Sequence, residues 1–141
     1  MADPADVRDE ILASPLAGDE LGSPSGDFVV VEWSDSGRGE WEWIAPLHVH
    51  HEDDEAWYVL EGTLRFRIGD EEIEAGPGSA VLAPKGMPHA YGNARDEPAR
   101  YLLVMTPKIH ALVEELHAPR DEDEPLDYAA IFRKYDSELI T

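Results

Sequence analysis

Hydrophobic and polar residues alternate in short runs through the middle of the chain. FVVVEW (28–33) is rich in β-branched and aromatic residues and reads as a strand. EWEWIA (40–45) alternates and reads as a second. LRFRI (64–68) alternates cleanly, with Leu64, Phe66 and Ile68 on one face and Arg65 and Arg67 on the other. Residues 47–51 and 56–60 read as a hairpin pair closed by the acidic turn EDDE. Turn chemistry separates the runs at SDSGRG (34–39), EGT (61–63), GDEE (69–72), GPG (76–78) and PKG (84–86). IEA (73–75), SAVLA (79–83), HAY (89–91) and RYLLVM (100–105) add further strands. Many short strands with Gly and Pro turns at close intervals predict an all-β sandwich or barrel.

The period changes after Pro107. KIHALVEELH (108–117) places Ile109, Leu112, Val113 and Leu116 at helical spacing. APRDEDEP (118–125) is a charged break. LDYAAIFRKYDSELI (126–140) reads as a second helix, with Tyr128, Ile131, Phe132 and Tyr135 on one face. The chain thus divides into an acidic N-terminal arm (1–26), a β domain (27–107) and a C-terminal helical extension (108–141). Within the arm, DVRDEILASPLAG allows one short helix before Pro15.

A length of 141 residues suits one domain with a substantial core. No apolar run approaches the roughly 18 residues that a membrane-spanning helix needs. MADPADVRDE lacks the apolar segment of a secretory signal, so a cytoplasmic location is expected. Thirty-one acidic residues against eleven basic ones give a net charge of −20. Such a surface repels nucleic acid and anionic membrane, so neither is expected as a partner. The charge reads first as a solubilising surface; the sharper alternative is adaptation to a high-salt cytoplasm, where screening removes self-repulsion. There is no cysteine, so disulfides and thiolate metal sites are excluded and any metal must use imidazole and carboxylate.

The candidate chemistry lies in PLHVHHEDDEAWYVLEG (46–62). His48 and His50 are two apart, so on a strand both imidazoles face one way, while His51 faces the other and is expected at the surface. Glu55 has the wrong parity for the same straight strand, but the intervening turn resets the face and returns it beside the two histidines. His89 follows APKGMP, whose Pro84, Gly86 and Pro88 fix the backbone that places it. Three imidazoles and one carboxylate suit Fe, Mn, Ni, Co, Cu or Zn. A six-coordinate ion held this way keeps two positions open, which reads as catalytic rather than structural. His110 and His117 are expected at the surface. Asn93 is expected to make a turn hydrogen bond, and Lys85 to be solvated. Trp33, Trp41, Trp43 and Trp57 are expected in core or subunit packing, with one or two lining a pocket. Tyr58 has the opposite parity to Trp57, so one of the two faces inward, with Leu64, Phe66, Tyr91 and Met105.

Residues 48–62 read H-x-H-x4-E-x6-G (His48, His50, Glu55, Gly62), and 78–93 read G-x5-P-x-G-x2-H-x3-N (Gly78, Pro84, Gly86, His89, Asn93). In this order and spacing they resemble the two motifs of the cupin superfamily, and the short intervening stretch 63–77 resembles its compact bacterial members. One position departs: the glycine that usually opens the first motif, six before the first His, is Glu42 here, with Gly39 nearby. The resemblance implies an all-β fold, an antiparallel jelly-roll β-barrel of six or more strands, to which the periodicity after Pro107 adds C-terminal helices. It implies that His48, His50, Glu55 and His89 hold one divalent transition-metal ion. HVHHEDDEAWYVLEG resembles the quercetin-dioxygenase-like kind, which implies a metal-dependent dioxygenase acting on a small phenolic or enolic substrate, with Glu55 also taking a proton. The alternatives are a metal-containing binding or sensing module without turnover, and a metal-assisted isomerase or lyase. Family habit and the surplus of aromatics imply a homodimer.

Overall fold

Alternation is translated into two antiparallel sheets. The computed structural model describes residues 11–37, 41–121 and 126–140. Residues 1–10 of the N-terminal arm, Gly39, the first residue of the strand expected at 40–45, and 122–125 of the charged break lie outside the described residues. The strands are β1 (Glu20–Gly22), β2 (Val29–Asp35), β3 (Ala45–His50), β4 (Glu55–Glu61), β5 (Leu64–Ile68), β6 (Glu71–Ala75), β7 (Ala80–Ala83), β8 (His89–Asn93), β9 (Ala99–Met105) and β10 (Ser137–Leu139), with helices α1 (Pro107–His117) and α2 (Tyr128–Lys134) before the last strand. One sheet has the order β1-β2-β9-β4-β7 and the other β10-β3-β8-β5-β6.

The core fills the space between them. Along β9, Ala99, Tyr101, Leu103 and Met105 are buried, and their neighbours are not. On β4 the inward set is Glu55, Trp57 and Val59, and on β5 it is Leu64 and Phe66. Tyr58 faces outward, as its parity requires. Helix α1 begins at Thr106, whose side chain accepts from Ile109 N, with Pro107 in the first turn, where its missing N–H costs nothing. Ile109 and Leu112 bury its apolar stripe.

Three local expectations are corrected. The runs 47–51 and 56–60 do not form a hairpin: β3 pairs with β8 and β10, and β4 pairs with β7 and β9. The acidic stretch between them crosses from one sheet to the other and is held by partners outside itself. Asp53 is buried, accepting from Thr106 Oγ1 at 2.9 Å with Lys108 Nζ at 3.1 Å, and Asp54 Oδ1 accepts from Lys85 N at 2.8 Å. EWEWIA becomes a strand only from Ala45. Trp41 instead lies across the bare backbone of Gly92, where an added Cβ would come within 2.5 Å of the indole, and Arg65 sits over both Trp41 and Trp43. The helix expected over 126–140 stops at Lys134. Asp127 caps it, the chain turns through Asp136 at φ 55°, and residues 137–139 pair with β3 as a strand.

Gly62 closes the turn between β4 and β5 at φ 76°, and a Cβ there would stand 2.5 Å from Pro98 O. Gly62→Ala is expected to destabilise the protein by at least about 1 kcal/mol in urea unfolding. Gly76→Ala, where nothing lies within 4 Å and φ is ordinary, is the matched control and should stay within about 1 kcal/mol of wild type.

Candidate metal centre

The sheet crossing at residues 51–54 sets the site. His48 and His50 point inward from β3. His89 opens β8, the neighbouring strand, and stands opposite His48 in register. Glu55 opens β4 in the facing sheet, so its carboxylate meets the imidazoles across the interior rather than from beside them. All four side chains are buried, none more than 6% exposed, and each offers a ligand atom within 4.8 Å of the others. The ring centroids lie 4.3 Å (His48–His89), 4.7 Å (His48–His50) and 5.1 Å (His50–His89) apart.

Hydrogen bonds fix which nitrogen of each ring faces the centre. His48 Nδ1 lies 2.6 Å from Pro46 O, and His89 Nδ1 lies 3.0 Å from Met87 O. A carbonyl only accepts, so both Nδ1 atoms carry the proton and donate it. His50 Nδ1 is 2.7 Å from Ser137 Oγ, and that hydroxyl donates its own hydrogen to Tyr135 O at 3.1 Å. Ser137 therefore accepts from His50. With Nδ1 donating in all three, each neutral ring turns its Nε2 lone pair inward.

Those lone pairs meet an anion. Glu55 Oε1 lies 3.1 Å from His89 Nε2 and 3.7 Å from His50 Nε2. Burial opposes ionisation of Glu55; hydrogen on Nε2 of His50 and His89 would outweigh it and hold the carboxyl down at about 2, and where those atoms carry only lone pairs another positive charge has to take that part. Burial, then the neighbouring His89 and His50, push His48 down to about 3, so it stays neutral at physiological pH. Acceptor facing acceptor in a buried space is unfavourable unless positive charge stands between them. A metal cation satisfies all four groups at once, and the donor set of three imidazoles and one carboxylate fits a divalent transition metal.

Aromatic groups surround the ligands. Trp57 packs 5.8 Å from His89 between ring centroids and contacts Phe66 and Tyr91 behind it. Phe132 of α2 lies 5.5 Å from His48. The Tyr91 and Tyr101 hydroxyls are 3.0 Å apart, and burial raises Tyr91 well above its ordinary value and Tyr101 to about 12, so both remain protonated phenols. The remaining histidines stand apart from this site. His51 is exposed, 3.9 Å from Glu138. His110 is half-buried rather than fully at the surface, and is held by Glu20 at 2.7 Å and Glu114 at 3.2 Å. His117 is exposed. Asn93 makes the expected turn bonds, donating to Glu97 O and Asp35 Oδ2 and accepting from Arg95 N. Ser137 escaped the sequence reading because DSELI was absorbed into a helix. Its alternation, with Ser137 and Leu139 inward of Glu138, was the available signal.

The cupin domain family matches residues 40–105, a span that holds all four clustered side chains. No curated protein is similar to the chain in sequence. Among solved structures, the chain is 30% identical to the protein TT1209 from Thermus thermophilus, covering 70% of this chain and 97% of that one with a TM-score of 0.55. It is 29% identical to a sugar phosphate isomerase of the cupin superfamily from Silicibacter pomeroyi DSS-3, over 57% of this chain, with a TM-score of 0.50. The chain spans about half the length of that isomerase, 51%. A double-stranded β-helix protein from Klebsiella pneumoniae shares the fold at 24% identity and a TM-score of 0.52, over 69% of this chain and 89% of that one. With the matched domain, these structural neighbours and the inward-facing His-His-Glu-His group in agreement, the chain belongs to the cupin superfamily.

Proposed function

We propose that His48, His50, Glu55 and His89 hold one divalent transition-metal ion and that the chain acts there as a dioxygenase on a small phenolic or enolic substrate. The observation that carries the metal is the pinning of all three Nδ1 atoms, which turns the Nε2 side of each ring toward the space it shares with the Glu55 carboxylate. A bound ion supplies Lewis acidity and open coordination positions for a substrate oxygen. The groups packed against the ligands, Trp57, Phe132 and, behind Trp57, Phe66 and Tyr91, are aromatic and uncharged, which suits an apolar substrate and excludes water. Trp57 Nε1 is buried without a hydrogen-bond partner among the described residues, and supplies a donor to a substrate oxygen.

Glu55 has two roles in this reading. Ionised at neutral pH, it binds the cation as an anion. Oε1 faces His50 and His89, so Oε2 is the atom that takes a proton from the substrate hydroxyl. A free phenol is a far weaker acid than a carboxylic acid, so Glu55 would take that proton only from a hydroxyl that a bound ion had made more acidic. The second reading, a metal-assisted isomerase, is favoured by the Silicibacter pomeroyi relative, a sugar phosphate isomerase. Against a phosphorylated substrate stands the net charge of −20, which repels anions. We also propose a homodimer. It is supported by the outer face of the first sheet, where Val30, Val104, Ala56 and Leu82 fall in one register row and Leu82 is 55% exposed.

Elemental analysis of untagged, chelator-free protein is expected to give about one equivalent of Fe, Mn, Ni, Co or Cu, with O₂ uptake on a panel of phenolic and enolic compounds. Full turnover under argon moves the assignment to the isomerase, and no metal after reconstitution sinks both readings. In the same experiment His50→Ala loses most of its metal with the sheets still folded by circular dichroism, and His51→Ala retains it. By light scattering, the dimer mass is expected at moderate salt, and dissociation at low salt, where like charges are least screened.

Acid sensitivity follows from His48. Its folded value, about 3, lies below the unfolded value of 6.5, so between these limits the unfolded chain binds the extra proton. Stability contributed by this group is therefore complete above pH 6.5 and is lost as pH falls through the window. In metal-free protein, the difference in unfolding free energy between wild type and His48→Asn should shrink by about 1.4 kcal/mol per pH unit from 6 to 4. A constant difference means that His48 titrates normally.

A further inference from the structure

We infer that Ser137 is a positioning residue of the metal centre, and that the C-terminal strand is thereby part of that centre; this rests on the metal reading above. The three pinned histidines do not depend on the same kind of partner. His48 and His89 donate to carbonyls two residues earlier, Pro46 O and Met87 O, which their own local chain supplies. His50 donates to a side chain 87 residues away. Ser137 is 1% exposed and stands opposite His50 in the β3–β10 register. Its one hydrogen is committed to Tyr135 O, so its oxygen serves His50 as an acceptor.

The strand that carries Ser137 is held by contacts other than its bond to His50, some beside the ligands and some beyond them. Ile140 N donates to Leu47 O at 3.0 Å, and His51 N donates to Asp136 O at 2.9 Å. Lys108 Nζ reaches Asp136 at 2.9 Å, and Tyr135 Oη donates to Glu115 at 2.8 Å. Phe132, five residues before Ser137, lies against His48. Remove the acceptor and His50 Nδ1–H is buried without a partner. The other tautomer, with hydrogen on Nε2 facing the Glu55 carboxylate, then becomes the favoured one. That tautomer cannot ligate a metal. Losing such an outer partner typically weakens metal binding 10–100-fold.

The test uses the full chain with two readouts. Long-range ¹H–¹⁵N spectra of metal-free protein at pH 7.5 report which nitrogen of His50 carries hydrogen. Competition with a chromophoric chelator reports Co²⁺ affinity. Wild type is expected to carry hydrogen on His50 Nδ1. Ser137→Ala is expected to move it toward Nε2 and bind Co²⁺ 10–100-fold more weakly, with His89 unchanged in its tautomer. A Ser137→Ala protein that keeps wild-type affinity and the Nδ1 proton overturns the role of Ser137 while leaving the metal reading intact. A wild type that binds no Co²⁺, although its tautomer moves with the substitution, overturns the metal reading instead and leaves Ser137 a structural acceptor. Should the variant not fold, the wild-type spectrum decides: hydrogen on Nε2 of His50 overturns the inference, and hydrogen on Nδ1 sustains it.

Discussion

Three imidazoles that must each give their one hydrogen away from the centre define this molecule. Pro46 O, Met87 O and Ser137 Oγ take those hydrogens, and what remains inside is three lone pairs and a carboxylate in one dry space. Such a set is self-repelling until a cation enters it. The two-sheet architecture holds it together regardless. β3 and β8 present the imidazoles from one sheet, β4 presents Glu55 from the other, and the packed residues of both sheets keep them facing. Interior packing is thus the force that keeps an unfavourable electrostatic arrangement in place, which a bound cation would relieve.

Charge outside the sheets has the opposite character. A net of −20 surrounds the interior with negative potential, which concentrates cations near the protein and holds anions off. The same field favours cations over anions at the mouth of any site on this surface. Inside, the groups packed around the ligands are aromatic, and the polar atoms among them are few: Trp57 Nε1 and the Tyr91–Tyr101 hydroxyl pair.

The four clustered residues were legible because each is fixed by something local. Parity alone puts His48 and His50 on one face, and the Pro-Gly-Pro approach delivers His89. Glu55 was placed correctly for an incorrect reason: the turn before it crosses between sheets instead of closing a hairpin. From sequence, both routes bring the carboxylate to the same point, and only the distant anchors Thr106, Lys108 and Lys85 separate them. Trp41 and Trp43 left the alternation because Gly92 and Arg65 offer them a surface that a strand path would not. The tail was misread past Lys134. Helical spacing is real up to Phe132, but Asp136 takes a left-handed turn and the last residues find an edge of β3 that no local signal announces.

Chain order gives that last pairing a further meaning. All four clustered residues lie before residue 90, and β3, β8, β5 and β6 pair without any help from the segment that carries β10. A ribosome making this protein therefore releases the ligands well before it releases the acceptor for His50, and the loop to be closed between them is long. During that interval His50 lacks the side-chain acceptor that Ser137 supplies. The acceptor for His50 thus waits on the segment that carries β10, so a change in that segment acts on His50 from a distance along the chain.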